Sequence, residues 1–138
     1  MYTAENTIRV RYAETDRMGY VYYGNYAAYF ETGRVEALRA LGLSYREMEE
    51  KGIMLPVLTF QIKYYKPAFF DDQLIIKTTL KELPSGTRIY FHYQTWNDKG
   101  VLLNEGETSH VFVKIEGGRP CPIPQEVIDK VAPYFLAK

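Results

Sequence analysis

Cysteine is nearly absent. Cys121 stands alone among 138 residues, so no disulfide can form within the chain and a reducing compartment is the simpler setting. It lies between Pro120 and Pro122 with no base or cation beside it in sequence, which argues against a catalytic thiol. Histidine is as sparse. His92 and His110 fall in separate strand-like segments with no cysteine or carboxylate at ligand spacing, so a zinc site is not expected, nor is any other metal or cofactor. Both are expected at the surface or in an interface. Net charge is missing too: Lys plus Arg and Asp plus Glu each number 17, which removes any bulk attraction to nucleic acid or to an anionic membrane and makes any phosphate site local. No apolar run approaches the roughly 20 residues of a bilayer span, and MYTAENTIRV lacks the basic and apolar regions of a secretory signal, so a cytoplasmic protein is expected. Ser44, Ser85 and Ser109 lack a Gly-x-Ser-x-Gly context, and no glycine-rich phosphate loop occurs.

What is abundant is tyrosine, at 13 residues within an aromatic content of 15%. Such rings suit ligand slots and interfaces, where one end is buried and the hydroxyl is bonded. The length and a 46% hydrophobic share fit one core, and a single domain over residues 1–138 is expected. Alternation over Thr7 to Ala13, with Ile8, Val10 and Tyr12 on one side, predicts a strand. Residues 14 to 23 carry no period and read as a loop. A helix is predicted from about Gly24 to Ala40, with Asn25 or a neighbour as N-cap, Gly42 as its stop, and Tyr26, Tyr29, Phe30, Gly33, Ala37 and Leu41 as its inward stripe. Ser44 and Glu47 have capping-box spacing for a short helix to Glu50. Period 2 then takes over at Leu58 to Tyr65, Leu74 to Leu80, Ile89 to Trp96 and Glu107 to Lys114. Turns fall at Pro84-Ser85-Gly86 and Asn97-Asp98-Lys99-Gly100, Gly106 marks a bulge or bend, and a last amphipathic helix uses Val127, Ile128 and Val131. This order predicts an α+β chain, an antiparallel sheet with a helix on one face.

The informative stretch runs from Tyr12 to Arg34, YAETDRMGYVYYGNYAAYFETGR. Its Asp16, Gly19, Val21-Tyr22-Tyr23 and Asn25-Tyr26, followed by Tyr29-Phe30-Glu31 and Arg34, resemble the 4-hydroxybenzoyl-CoA thioesterase family of hotdog-fold enzymes. YYKPAFFDD, from Tyr64 to Asp72, resembles the family's later strand exit. The resemblance implies a curved antiparallel sheet wrapped around one long helix and an acyl-CoA thioesterase with Asp16, Tyr23 and Gly24 in the catalytic apparatus. It places Gly19, Val21, Tyr22, Asn25 and Tyr26 around the substrate. It also implies a homodimer, or a homotetramer built as a dimer of dimers, with each site shared between subunits.

Elementary chemistry accommodates those positions. A thioester carbonyl needs an attacking oxygen and positive dipoles where its own oxygen gains charge, and a carboxylate can attack directly or activate water. Free amides at a helix start, here Tyr23 N–H with Gly24 N–H, can supply the dipoles. Without the resemblance Asp16 reads as a turn or capping residue, Asn25 as an N-cap, and Glu31 with Arg34 as an i, i+3 surface pair. Lys63, Lys66, Lys77, Lys81 and Arg88 are candidates for the CoA phosphates. Two other readings remain at this point, a hotdog hydratase or dehydratase, which would want a histidine that the motif loop lacks, and a non-catalytic acyl-CoA-binding module, which would not need Asp16.

Overall fold

The computed structural model describes residues 1–136. Strands β1 (Tyr2–Arg9), β3 (Val57–Tyr64), β4 (Gln73–Leu80), β5 (Arg88–Asn97) and β6 (Leu102–Val111) form one antiparallel sheet in the order β1-β4-β5-β6-β3. Helix α1 (Tyr26–Ala40) lies across one face, and α2 (Tyr45–Glu50) follows it. A two-stranded ribbon pairs β2 (Ile53–Met54) with β7 (Val113–Lys114), and α3 (Gln125–Val131) comes last. Both anticipated turns join their strands as hairpins, β4 to β5 and β5 to β6.

The helix stripe is buried as its spacing predicts, and Arg34 and Leu38 join it. Two glycines let helix and sheet approach. A Cβ at Gly33 would stand 2.5 Å from Thr78 Oγ1 and 2.8 Å from Ile76 Cγ2, so only glycine admits β4 this close to α1. A Cβ at Gly106 would stand 2.5 Å from the Phe30 ring and 2.8 Å from the Gln61 carbonyl oxygen. Phe30 fills that space and stacks on Tyr93 with centroids 4.4 Å apart, an arrangement that adds about 0.5–1.5 kcal/mol beyond burial alone. Gly42 ends the helix with φ +82°, a conformation glycine adopts without strain. Ser44 caps α2 by accepting the Glu47 N–H at 3.3 Å.

Four expectations change. The first strand runs from Tyr2 to Arg9 and not to Ala13, because Val10 N–H turns to the Asp72 carbonyl and Tyr12 enters a 3₁₀ turn, 76% exposed. The strand expected from Glu107 starts at Leu102 and stops at Val111, where Phe112 N–H bonds to the Thr87 carbonyl. Gly106 sits in continuous register opposite Ile62 and Tyr93; the irregularities fall at Val57/Thr59 and Thr95/Trp96. His110 is fully buried and not at the surface: its ring lies on the helix side of β6, with Nε2 2.8 Å from Thr108 Oγ1 and Nδ1 3.3 Å from the Leu55 carbonyl. Burial, and then the Arg34 charge, push its pKa down to about 4.

Strand β3 forms a sheet edge, and it is exposed along nearly its whole length although Val57, Leu58, Phe60 and Tyr64 are large and apolar. An open apolar edge of this kind invites pairing with another chain.

Gly33→Ala separates helix propensity from packing. Alanine is favoured in a helix interior by about 1 kcal/mol, whereas overpacking a close contact costs typically about 1–3 kcal/mol. The obstructing atoms belong to β-branched side chains on a buried strand and cannot swing aside, so packing decides. A net loss of about 1 kcal/mol, lowering Tm by roughly 3 °C in a thermal melt, is expected; a Tm at or above wild type would mean that α1 can lift from β4 without cost.

Candidate active site

The aperiodic stretch after β1 folds into a small hairpin. Thr15 and Val21 form an antiparallel bridge, and Asp16 N–H donates to the Tyr20 carbonyl at 2.9 Å. Asp16 is the first residue inside that turn. Its Oδ1 accepts Met18 N–H at 2.9 Å and its carbonyl accepts Gly19 N–H at 3.0 Å. Gly19 has φ +88° with open space around its Cα, so conformation and not crowding requires glycine there. The far side of the hairpin is fastened to the β3–β4 connection: Val21 N–H donates to the Ala68 carbonyl at 2.9 Å, and Tyr20 bridges Phe69. That connection turns at Asp71, a non-glycine residue with φ +69°, and its turn is braced by Asp72 Oδ2 accepting Phe69 N–H at 2.9 Å.

Glu14 fastens the near side. Its carbonyl accepts both Tyr22 N–H at 2.9 Å and Asn25 Nδ2–H at 2.8 Å. Its carboxylate accepts Arg11 N–H at 2.8 Å and the Tyr29 hydroxyl at 2.9 Å through Oε1, and holds the Arg11 guanidinium at 3.4 Å through Oε2. One residue thereby ties the end of β1, the hairpin carrying Asp16 and the first turns of α1. Burial, and then the bond to Glu14, push the Tyr29 pKa well above the usual phenol range. Tyr26 beside it is pushed up to about 12, by burial first and by Tyr64 second.

Tyr23–Asn25 form a 3₁₀ turn that runs into α1 at Tyr26. Asn25 N–H is taken by the Tyr22 carbonyl and Tyr26 N–H by the Tyr23 carbonyl. Among the described residues, Tyr23 N–H and Gly24 N–H have no acceptor. The Tyr64 hydroxyl, from edge strand β3, donates to the Tyr23 carbonyl at 3.3 Å.

The other expected residues divide by exposure. Tyr22 and Tyr23 present their rings to solvent, 47% and 64% exposed, with centroids 4.7 Å apart. Val21 and Tyr26 are core residues, 5% and 3% exposed. Asn25 is not a side-chain cap: its own backbone is already helical, so its amide reaches back to Glu14 instead. Glu31 and Arg34 form no ion pair; Arg34 turns inward and bonds to the hydroxyls of Tyr45 and Tyr93. Of the basic residues, Lys63, Lys77 and Lys81 line a groove of about 950 Å³ on the sheet face opposite α1, and Arg88 lines a neighbouring hollow with Lys81. They do not gather with Asp16. Among the described residues, no three His, Cys, Asp or Glu side chains converge on a metal position.

Residues 10–131 match the thioesterase-like superfamily. The chain belongs to that family. It is 33% identical over 138 residues to YneP of Bacillus subtilis (strain 168), covering 100% of this chain and 99% of that protein. It is 32% identical over 121 residues to the acyl-CoA thioester hydrolase YbgC of Escherichia coli O157:H7, covering 88% and 90%. The DHNA-CoA thioesterase structure from Staphylococcus aureus superposes with a TM-score of 0.90 at 33% identity, covering 98% of this chain and 94% of that one. The fold is the hotdog, and the protein is a thioesterase.

Glu14 escaped the sequence reading, although its position three residues after Arg11 is a capping-box spacing. In this thioesterase Glu14→Ala leaves the buried Tyr29 hydroxyl and Arg11 N–H without their acceptor, while the Glu14 carbonyl keeps its bonds to Tyr22 N–H and Asn25 Nδ2. Hydrogen bonds to a charged group contribute about 1.5–3 kcal/mol, so urea unfolding is expected to show a loss of about 2 kcal/mol. A loss below about 0.5 kcal/mol, the scale of an ordinary surface change, would contradict this role.

Proposed function

We propose that this thioesterase hydrolyses acyl-CoA to the free acid and CoA, with Asp16 as the reacting carboxylate and Tyr23 and Gly24 N–H as the oxyanion site. The observation that carries the reading is the pair of unpaired amides at the helix start, tied through Glu14 to the hairpin that presents Asp16. The thioester oxygen sits at those amides, where the helix dipole favours developing negative charge. Asp16 Oδ2 is left to act while Oδ1 is held by Met18 N–H. Either it attacks the carbonyl carbon to give an anhydride that water opens, or it takes a proton from the attacking water. In both routes the C–S bond breaks, CoA leaves as the thiolate, and one water is consumed. Gly19 and Asn25 set the loop and the helix entry, Tyr22 flanks the acyl group, and Val21 and Tyr26 support that wall from the core side. The names of the relatives support an acyl-CoA substrate.

A hydratase reading loses ground. His110 is buried in a bonded network, and His92 lies on the sheet face opposite α1 beside Glu107, at 3.5 Å. A cytoplasmic location suits a chain whose cysteine is a buried free thiol, and none of the described helices is long and apolar enough to cross a membrane. The 138 residues act as one thioesterase domain. The working unit is a homodimer, or a dimer of dimers, paired along β3. Tyr64 on that edge touches the Tyr23 carbonyl, so a partner strand would lie beside the site. Sedimentation is expected to give a dimer or tetramer, and a stable, active monomer would refute the edge pairing.

Asp16→Asn keeps an oxygen for Met18 N–H and removes the charge. Thiol release from acyl-CoA is expected to fall at least about a hundredfold, with stability within about 1 kcal/mol of wild type. Near-normal turnover would remove Asp16 from the chemistry.

A further inference from the structure

Arg34 is the one buried cation described in the core: its residue is 8% exposed, inside a layer of aromatic and aliphatic side chains. Its Nε–H donates to the Tyr45 hydroxyl at 2.9 Å and one Nη1–H donates to the Tyr93 hydroxyl at 3.1 Å. A guanidinium has five N–H donors. Its remaining donors find no acceptor among the described residues, and no described carboxylate lies within ion-pair distance of it. The guanidinium nitrogen without a partner is not fully enclosed, so the free side of the group is open to a ligand. The group has one orientation, because a chain of hydrogen bonds fixes it. The Tyr93 hydroxyl lies 2.6 Å from Thr108 Oγ1, which lies 2.8 Å from His110 Nε2, and His110 Nδ1 lies 3.3 Å from the Leu55 carbonyl. With His110 neutral every member donates onward, away from Arg34, so the network offers Arg34 acceptors and no counter-charge.

Arg34 also lines a cavity of about 360 Å³ between α1, α2 and the segment 53–57. That volume falls at the low end of the ~300–1,000 Å³ range of small-ligand sites. Met48, Ile53, Leu55 and Val57 give it apolar walls, and Tyr45 stands beside the guanidinium. Glu31 and Glu49, both exposed, are the other charges on its lining. They disfavour a dianion, while their exposure to solvent screens them from a single charge held deeper, at Arg34.

We propose that this cavity is a binding site for a small monocarboxylate with a compact apolar body, its carboxylate on Arg34 and its body against Met48, Ile53 and Leu55. The acid released by thioester hydrolysis has this chemistry, and so do unrelated short-chain and aromatic acids; all would enter by the same two features. Arg34 lies eight residues along α1 from Tyr26, about 12 Å at 1.5 Å per residue, so the site is separate from the helix start of its own subunit. It needs no turnover, and its test is independent of the role of Asp16.

The test is a titration of the folded protein followed by ¹H–¹⁵N NMR, with sodium benzoate and sodium hexanoate as probes. Benzamide serves as the uncharged control and inorganic phosphate as the dianion. Saturable shifts are expected at Arg34 Nε–H and at residues 53–57 with both carboxylates, with benzamide at least about tenfold weaker, as the loss of a charge-assisted hydrogen bond requires. Arg34→Gln is expected to weaken benzoate by a similar factor. Met54→Trp does the same from the cavity lining without touching the guanidinium network, so a folding defect in Arg34→Gln would not obscure the result. Shifts confined to residues 14–25 would place the acid at the reaction site and overturn the proposal. So would equal binding of benzamide, phosphate binding as tight as benzoate, or the absence of saturable shifts. Carboxylate inhibition of thiol release that Met54→Trp relieves would identify the released acid as the occupant in turnover; inhibition unchanged in Met54→Trp would deny that occupancy a part in inhibition.

Discussion

Two oxygens of Glu14 hold together parts of the chain that have no other reason to meet. Its carbonyl takes one donor from the hairpin and one from the helix entry, and its Oε1 takes one from the end of β1 and one from the second turn of α1. The two bonds on Oε1 are charge-assisted and therefore stronger than neutral ones, and they meet on a partly shielded carboxylate. The consequence is electrostatic as well as mechanical. With Tyr22 N–H and Asn25 Nδ2 committed to the Glu14 carbonyl, the 3₁₀ turn leaves Tyr23 and Gly24 N–H without an acceptor among the described residues. The way the loop is tied thus leaves two free amides side by side at the helix start.

The second constraint is distance. The helix can carry its first turn to the loop only if its middle lies close on the sheet, and glycine on each side makes room: Gly33 of α1 against Thr78 and Ile76, and Gly106 of β6 beneath Phe30. The inner rows of the sheet are correspondingly mixed, small or polar under the helix and aromatic beside it. The outer rows carry Glu5, Lys77, Gln94, Glu105 and Lys63 in register across the strands, with Tyr65 and Gln94 both bonded to Glu105. One sheet therefore presents an apolar face that holds the helix and a solvated face with opposite charges side by side.

Periodicity made the helix stripe, β4 and β5 legible, since each buries one face against a single neighbour. The weaker readings have physical causes. β1 begins with Tyr2, Ala4 and Asn6 inward, too polar a set to register as a strand face. His110 follows Thr108 on the inner side of β6, so its alternation ran polar toward the core, and burial became possible only through the Arg34, Tyr93 and Thr108 bonds. Asp16, Tyr23 and Gly24 were singled out as candidates through the motif around them. Glu14 was passed over because its importance lies in partners 11 and 15 residues away, Asn25 and Tyr29, and a glutamate in an aperiodic loop carries no local sign of that.

The most direct test is a double-mutant cycle on thiol release from acyl-CoA, using Asp16→Asn, the near-isosteric Glu14→Gln, and both together. If the Glu14 carboxylate acts by fixing residue 14, and through its carbonyl the Asp16 hairpin, Glu14→Gln lowers kcat in the wild-type background and has no further effect once Asp16 is already asparagine, the non-additivity expected of residues that work as one unit. If the two losses multiply in full, Glu14 and Asp16 act independently, and the tie between hairpin and helix start is not what builds the site.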